Sequence, residues 1–145
     1  MIRRLGLVVL ASLVLAACGT VSASTALSRW SKNGDLPSVV SSLSLDARHA
    51  LTVLTRAHST ALQLHTVCAV LDLETVQANA ALPTPDTQTT NLLSAAYTDL
   101  GSGANECYGS ENSASKRDKA ISYLHRAGAE LAEARARVNA VTGSS

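Results

Sequence analysis

The sequence contains no phenylalanine, and its only aromatic residues are Trp30, Tyr97, Tyr108 and Tyr123. A hydrophobic core must therefore be built mainly from alanine, leucine and valine. This composition suits closely packed helices better than a sheet, which favours β-branched and aromatic side chains. The sequence therefore predicts an all-α fold.

Long apolar segments are also missing. The uncharged apolar run of residues 5–17 follows Arg3 and Arg4, but a helix needs roughly 20 apolar residues to cross a bilayer. Two arginines before a short apolar segment are typical of an export signal. We therefore predict that residues 1–17 form a signal peptide that is removed.

The end of this run resembles the bacterial lipobox: Leu15, two small residues, and then Cys18. In that motif the cysteine thiol receives a diacylglyceryl group, and two acyl chains suffice for stable anchoring. The sequence thus predicts lipidation of Cys18, with a plain secretory signal as the alternative. The chain would be held on the cell membrane, facing outward from the cytoplasm, with residues 18–34 as a polar tether.

No block of like charge is present. Without Arg3 and Arg4, the 12 basic residues fall to 10, against 11 acidic ones. Sequence-independent binding of nucleic acid requires a concentrated basic surface. We therefore predict no nucleic-acid partner.

Apart from Cys18, the chain has two cysteines, Cys68 and Cys107. In an exported protein such a pair predicts a disulfide, with two buried thiols as the alternative. Cys68 is placed late in the second predicted helix and Cys107 at the end of the third. Their pairing would then require helices that cross at an angle.

Helical periodicity begins near Asp35 and Leu36, with Pro37 in the first turn. Apolar residues recur at steps of three and four through Val76, and residues 38–82 contain no glycine or proline. One helix of this length would be too long for a compact domain. We expect a break between Ala57 and Thr60, with Ser59 capping the second helix.

A second boundary is predicted at residues 83–86, with Thr84 as the helix cap and Pro85 in the first turn. The following helix reaches Cys107, and a last helix covers about 115–141, with Glu133 and Arg137 spaced for an ion pair. The prediction is a small up-and-down bundle of four helices, possibly three, over residues 35–142. Residues 143–145 would form a flexible tail.

Several short features recur together in a known group of proteins. They are Trp30 near the mature start, Gly34 and Asp35, a cysteine in each of two helices, the turn at 83–86, and an alanine-rich final helix. In this combination the chain resembles the small alanine-rich helical lipoproteins of actinobacteria, a group with no established biochemical activity. The resemblance implies an actinobacterial cell envelope and lipid on Cys18.

The sequence offers no constellation for catalysis or metal binding. The four histidines are His49, His58, His65 and His125, and no two are four residues apart, the spacing that places two ligands on one helical face. The chain also lacks a Gly-x-Ser-x-Gly motif and a glycine-rich phosphate loop. We therefore predict a protein that is not an enzyme and needs no metal or other cofactor.

Two functions remain open from the sequence. The first is a non-enzymatic interaction or accessory module, held at the envelope and bound to an envelope protein that is not identified. The second is a carrier of a small apolar ligand or lipid within the bundle. Alanine-rich helices pack closely and leave little space, which favours the first.

Overall fold

The computed structural model describes residues 22–143, and this part of the chain is helical with no strand. The signal peptide predicted for residues 1–17 and the lipid site predicted at Cys18 lie outside the described residues. So do Ser144 and Ser145 of the predicted tail. The five helices of the described part are α1 (Ala23–Asn33), α2 (Leu36–Thr55), α3 (Ala61–Asn79), α4 (Thr87–Tyr108) and α5 (Ala114–Thr142).

Helices α2 to α5 form the bundle. Each packs against the next along the chain, and α2 also packs against α5, which closes the ring. Short connections between long neighbouring helices make consecutive helices antiparallel. The prediction of an all-α fold is confirmed. The described residues form five helices rather than the predicted four or three, because α1 precedes the four segments predicted to be helical.

Helix α1 replaces most of the tether predicted for residues 18–34. Ser22 caps it by accepting a hydrogen bond from the Thr25 amide at 3.2 Å. Leu27 is fully buried, and the indole N–H of Trp30 donates to the carbonyl of Ala81 at 3.3 Å. Two large apolar residues three positions apart therefore dock the segment on α5 and α2 despite its polar composition.

The predicted break between α2 and α3 is present at residues 56–60, but the capping residue is Thr60 rather than Ser59. Thr60 accepts from the amide of Gln63 at 3.2 Å, and the Gln63 side chain accepts from the Thr60 amide at 3.0 Å. Thr60 has a glutamine three positions later and can form this reciprocal cap, whereas Ser59 cannot.

The boundary before α4 also differs by two residues from the prediction. The N-cap is Asp86, whose carboxylate accepts from the amide and hydroxyl of Thr89 at 2.8 and 2.7 Å. Thr84 instead donates to the Asp86 carbonyl at 2.7 Å, and Pro85 precedes the helix. The carboxylate caps because it accepts two hydrogen bonds from the first turn.

The core is built from leucine and alanine, as the composition requires. The helical period of the apolar and small residues predicts that Val76 and Gly128 face the core, and both predictions are wrong. Val76 is exposed while Thr75 and Ala78 are buried, and Gly128 is exposed while Ala127 is buried. These errors arose where apolar or small residues occupy both faces of a helix, because the period then no longer identifies the inner face.

Gly103 allows α4 and α5 to approach closely. A Cβ at this position would lie 2.8 Å from Cδ2 of Leu124, whereas one at Gly101 would meet nothing within 4 Å. Of the two glycines that weaken α4, only Gly103 is therefore required by a neighbouring helix.

Candidate functional site

Cys68 and Cys107 join α3 to α4 as a disulfide with a Cα–Cα distance of 5.9 Å, and both side chains are fully buried. The sequence predicts that Cys68 lies late in its helix, and a disulfide from that position to Cys107 would require helices that cross at an angle. In fact α3 begins at Ala61, so Cys68 lies about two turns from its start. The start of α3 lies beside the end of α4 in an antiparallel pair, and the disulfide therefore fits a simple up-and-down bundle.

Two ion pairs join α4 to α5. Arg126 binds Asp99 at 2.8 and 3.0 Å, and Arg137 binds Asp86 at 3.1 and 2.9 Å. Arg137 thus pairs across helices rather than within α5, where Glu133 had been expected to bind it. The Arg137 guanidinium, followed by the hydrogen bonds from Thr89, holds the pKa of Asp86 well below its usual range. These pairs attach α5 to α4.

The four histidines are all exposed and do not form a site. His65 lies against Tyr108, with ring centroids 5.6 Å apart. Between residues 22 and 143 no three His, Cys, Asp or Glu residues are grouped closely enough to hold a metal ion.

A cleft of about 430 Å³ opens between α1, α2 and α3, and Tyr97 of α4 also lines it. Its volume falls within the range of small-molecule sites. Burial raises the pKa of Tyr97 to about 12, so its hydroxyl stays protonated at neutral pH. The other residues that line the cleft are Trp30, Gly34, Asp35, Leu36, Ser38, Val39, Ser42, Leu43, Glu74, Gln77, Ala78 and Ala81.

Glu74 makes one wall of this cleft acidic. A side-chain hydrogen bond with Asp46, then burial and repulsion from the same carboxylate, raise the pKa of Glu74 above its usual value. The partner comes from α2, and no spacing along the chain indicates such a contact. Of the two carboxyl groups, only that of Glu74 lines the cleft.

The outward face of α3 is apolar, which is unusual for a bundle helix. We call it the outer seam, and its six exposed residues are Leu62, Thr66, Ala69, Leu73, Val76 and Ala80. The exposed fraction is 76% for Leu62, 59% for Leu73 and 61% for Val76. Val70 extends the apolar surface at its margin and is also exposed. The inner face of the same helix buries Leu64, Cys68 and Leu71, so α3 is apolar on both sides.

The sequence contained a signal for the outer seam that was assigned to the core. The helical period that predicts an inward position for Val76 does not include Leu62 or Leu73, which are apolar as well. A helix with apolar residues on all sides is usually fully buried, so the sequence of α3 does not distinguish its two faces. The packing of α2 and α4 shows which face of α3 remains exposed.

Between residues 22 and 143 no helix is both long enough and apolar enough to span a bilayer. Comparison with protein-family models, with curated proteins and with solved structures gives no match to this chain. Its function is therefore inferred from its own residues.

Proposed function

We propose that this chain is an envelope lipoprotein, anchored through lipid on Cys18, whose helical bundle is a non-enzymatic interaction module. The observation that carries the interaction is the outer seam of α3. Soluble proteins rarely expose contiguous apolar patches without a function, and larger ones mark sites of contact with other molecules. The proposal also places the protein in an actinobacterial envelope, as its resemblance to the alanine-rich lipoproteins implies.

The anchor is supported by the order of features in residues 1–18: two arginines, an apolar run, two small residues and then Cys18. Each buried acyl methylene contributes about 0.8 kcal/mol, and two chains on one residue hold a protein stably on a bilayer. The bundle follows closely, since α1 begins at Ala23. The lipid would therefore keep the bundle within a few residues of the membrane surface.

Anchoring is tested by metabolic labelling with a radioactive fatty acid and by membrane fractionation. The wild-type chain should carry the label and sediment with membranes, whereas Cys18→Ala should lose both properties. A Cys18→Ala protein that sediments as strongly as the wild type would contradict lipid anchoring.

The interaction role is tested by mild cross-linking in the envelope, followed by capture of the chain. We would compare wild type with Leu73→Asp in the outer seam and with Leu45→Asp on α2. Leu45 is 57% exposed and Leu73 59%, so neither substitution disturbs the core. Cross-linked products should be lost in Leu73→Asp and kept in Leu45→Asp. Equal products in all three proteins would contradict a role for the seam.

The cleft beside Trp30 supports a second candidate, a carrier of a small apolar ligand with a polar edge. Its apolar floor includes Leu36 and Leu43, and its acidic wall includes Glu74. Native mass spectrometry of the purified protein should then show a bound small molecule that Ser42→Trp, at an exposed position lining the cleft, displaces. A ligand-free mass for the wild type would contradict the carrier role.

A further inference from the structure

The spacing of the outer seam is that of a coiled-coil seam. Its residues follow at alternating steps of four and three, from Leu62 through Thr66, Ala69, Leu73 and Val76 to Ala80. This heptad pattern places one apolar stripe along a helix, ready to pack against another helix. No helix between residues 22 and 143 covers it, because all six positions are exposed.

The order of large and small residues makes the seam complementary to itself. If two copies of α3 align antiparallel about residue 71, Leu62 faces Ala80, Thr66 faces Val76, and Ala69 faces Leu73. Two layers then combine a leucine with an alanine, and the middle layer combines two side chains of intermediate size, so the layers have similar total volumes and the helices keep an even separation. A parallel alignment would instead place Leu62 on Leu62 and Ala69 on Ala69, alternating crowded and empty layers.

We infer that the outer seam binds a second copy of this chain, with the two α3 helices antiparallel across a two-fold axis. A two-fold interface requires a patch that complements itself, and the seam meets this requirement. The inference rests on the proposed function and identifies the partner of the interaction surface.

The polar groups of α3 are compatible with this contact. The hydroxyl of Thr66 already donates to the carbonyl of Leu62 at 2.8 Å, so its burial leaves no donor unpaired. Asp72 and Glu74 are off the heptad positions and flank the seam on opposite sides of the helix. In the dimer they lie at the margins, where water reaches them.

Charge disfavours a lipid surface as the occupant. The sequence has no lysine or arginine between Arg56 and Lys116, and it has six acidic residues there. Helices α3 and α4 therefore carry no lysine or arginine, and an anionic bilayer attracts basic segments rather than acidic ones. A second copy carries the same acidic residues, but the contact itself is apolar and Asp72 lies at its margin, where water and salt screen the repulsion.

The size of the seam suits a dimer that depends on the membrane. Helix geometry gives a length of about 27 Å and a width of about 10 Å, so two copies bury roughly 600 Å². Stable interfaces in solution bury about 1,200–2,000 Å². Tethering raises the effective concentration of partners without adding contacts. Lipid anchors would thus allow a weak contact to persist on the membrane.

The experiment uses two differently tagged copies of the full chain in the same cells, one with Leu62→Cys and one with Ala80→Cys. A short bis-maleimide is added to isolated envelopes. The antiparallel dimer predicts a cross-linked species that carries both tags. Cells that contain only one of the two cysteine variants should give at least tenfold less cross-linked dimer, because identical positions in the two copies lie about 27 Å apart. Adding Leu73→Asp to both copies should reduce the mixed species at least tenfold, and adding Leu45→Asp should leave it unchanged.

Three outcomes would overturn the inference. The first is no mixed species, and the second is cross-linking of Leu62→Cys with itself that is as strong as with Ala80→Cys. The third is a loss of the mixed species with Leu45→Asp that equals the loss with Leu73→Asp. Capture of a different protein through Leu73, with no mixed species, would also overturn it while leaving the interaction module intact. Fractionation of the same cells tests the anchor separately. Cross-linking in a chain that does not sediment with membranes would retain the dimer and contradict the lipoprotein proposal.

Discussion

Helices α3 and α5 lie on opposite sides of α4 and differ in the face they turn outward. Both bury leucines, with Leu64 and Leu71 in α3 and Leu124 and Leu131 in α5. Outward, α3 carries the apolar outer seam. The outward residues of α5 are alanines, polar residues and charged residues, and the charged ones include Lys116, Lys119, Arg126, Glu133 and Arg135.

The two helices are also attached to α4 by different chemistry. A buried disulfide between Cys68 and Cys107 joins α3 to α4. Two ion pairs, one of them between Asp86 and Arg137, join α5 to it. The inner faces and these attachments account for the fold on both sides. The apolar surface of α3 is therefore additional to what folding requires, and this excess is what indicates a function.

The largest expected effect is on the attachment of α3. Replacing both Cys68 and Cys107 with alanine should lower the free energy of unfolding by about 4 kcal/mol, since the disulfide closes a loop of about 40 residues. Urea denaturation of the variant and of the wild type measures the loss. The equivalent comparison under reducing conditions is the control, and the difference should then largely disappear. An equally large difference under reducing conditions would show that cavities, not the cross-link, cause it.

The next effect separates the two faces of α3. Leu71 is fully buried and Leu73 is 59% exposed, two residues further along the same helix. Leu71→Ala should cost about 3 kcal/mol, because it leaves a cavity in the core. Leu73→Ala should change the free energy of unfolding by no more than about 0.5 kcal/mol.

Thermal and urea unfolding of both proteins, measured at a dilution where the weak dimer dissociates, provide the comparison. If Leu73→Ala is as destabilising as Leu71→Ala, the outer seam belongs to the core and is not an open surface.

The smallest effect concerns the attachment of α5. Asp86→Asn keeps a capping side chain but removes the charge that binds Arg137, so it should cost about 1 kcal/mol at pH 7. The folded protein lowers the pKa of Asp86 below its unfolded value of about 4. Its stabilisation is therefore complete above about pH 4 and is lost as the pH falls through the folded pKa.

Melting temperatures of wild type and Asp86→Asn, measured from pH 7 down to about pH 2, provide the check. The two curves should converge below about pH 4. A constant separation throughout would show that the charge of Asp86 does not contribute. Arg126→Gln, which breaks the other ion pair, is the matched control. Because this variant keeps Asp86, its melting temperature should keep the loss of stability at low pH that Asp86 causes.

Much of the fold could be predicted from residues close together in the sequence. Pro37 in the first turn of α2, the break at 56–60 and the disulfide pair follow from local patterns or from a count of cysteines. The caps at Thr60 and Asp86 were each missed by one or two residues. Several neighbouring polar residues can cap a helix, and the additional hydrogen bonds with Gln63 and Thr89 select Thr60 and Asp86.

The sequence by itself determined an all-α protein and the pairing of Cys68 with Cys107, because composition, helical period and cysteine number act locally or require no geometry. Only the tertiary structure decided that residues 23–33 form a helix, that Arg137 binds Asp86, and that Glu74 meets Asp46. It also decided which face of α3 stays exposed. Each of these depends on residues distant in the chain, and an apolar stripe on both sides of a helix has no period that distinguishes core from surface.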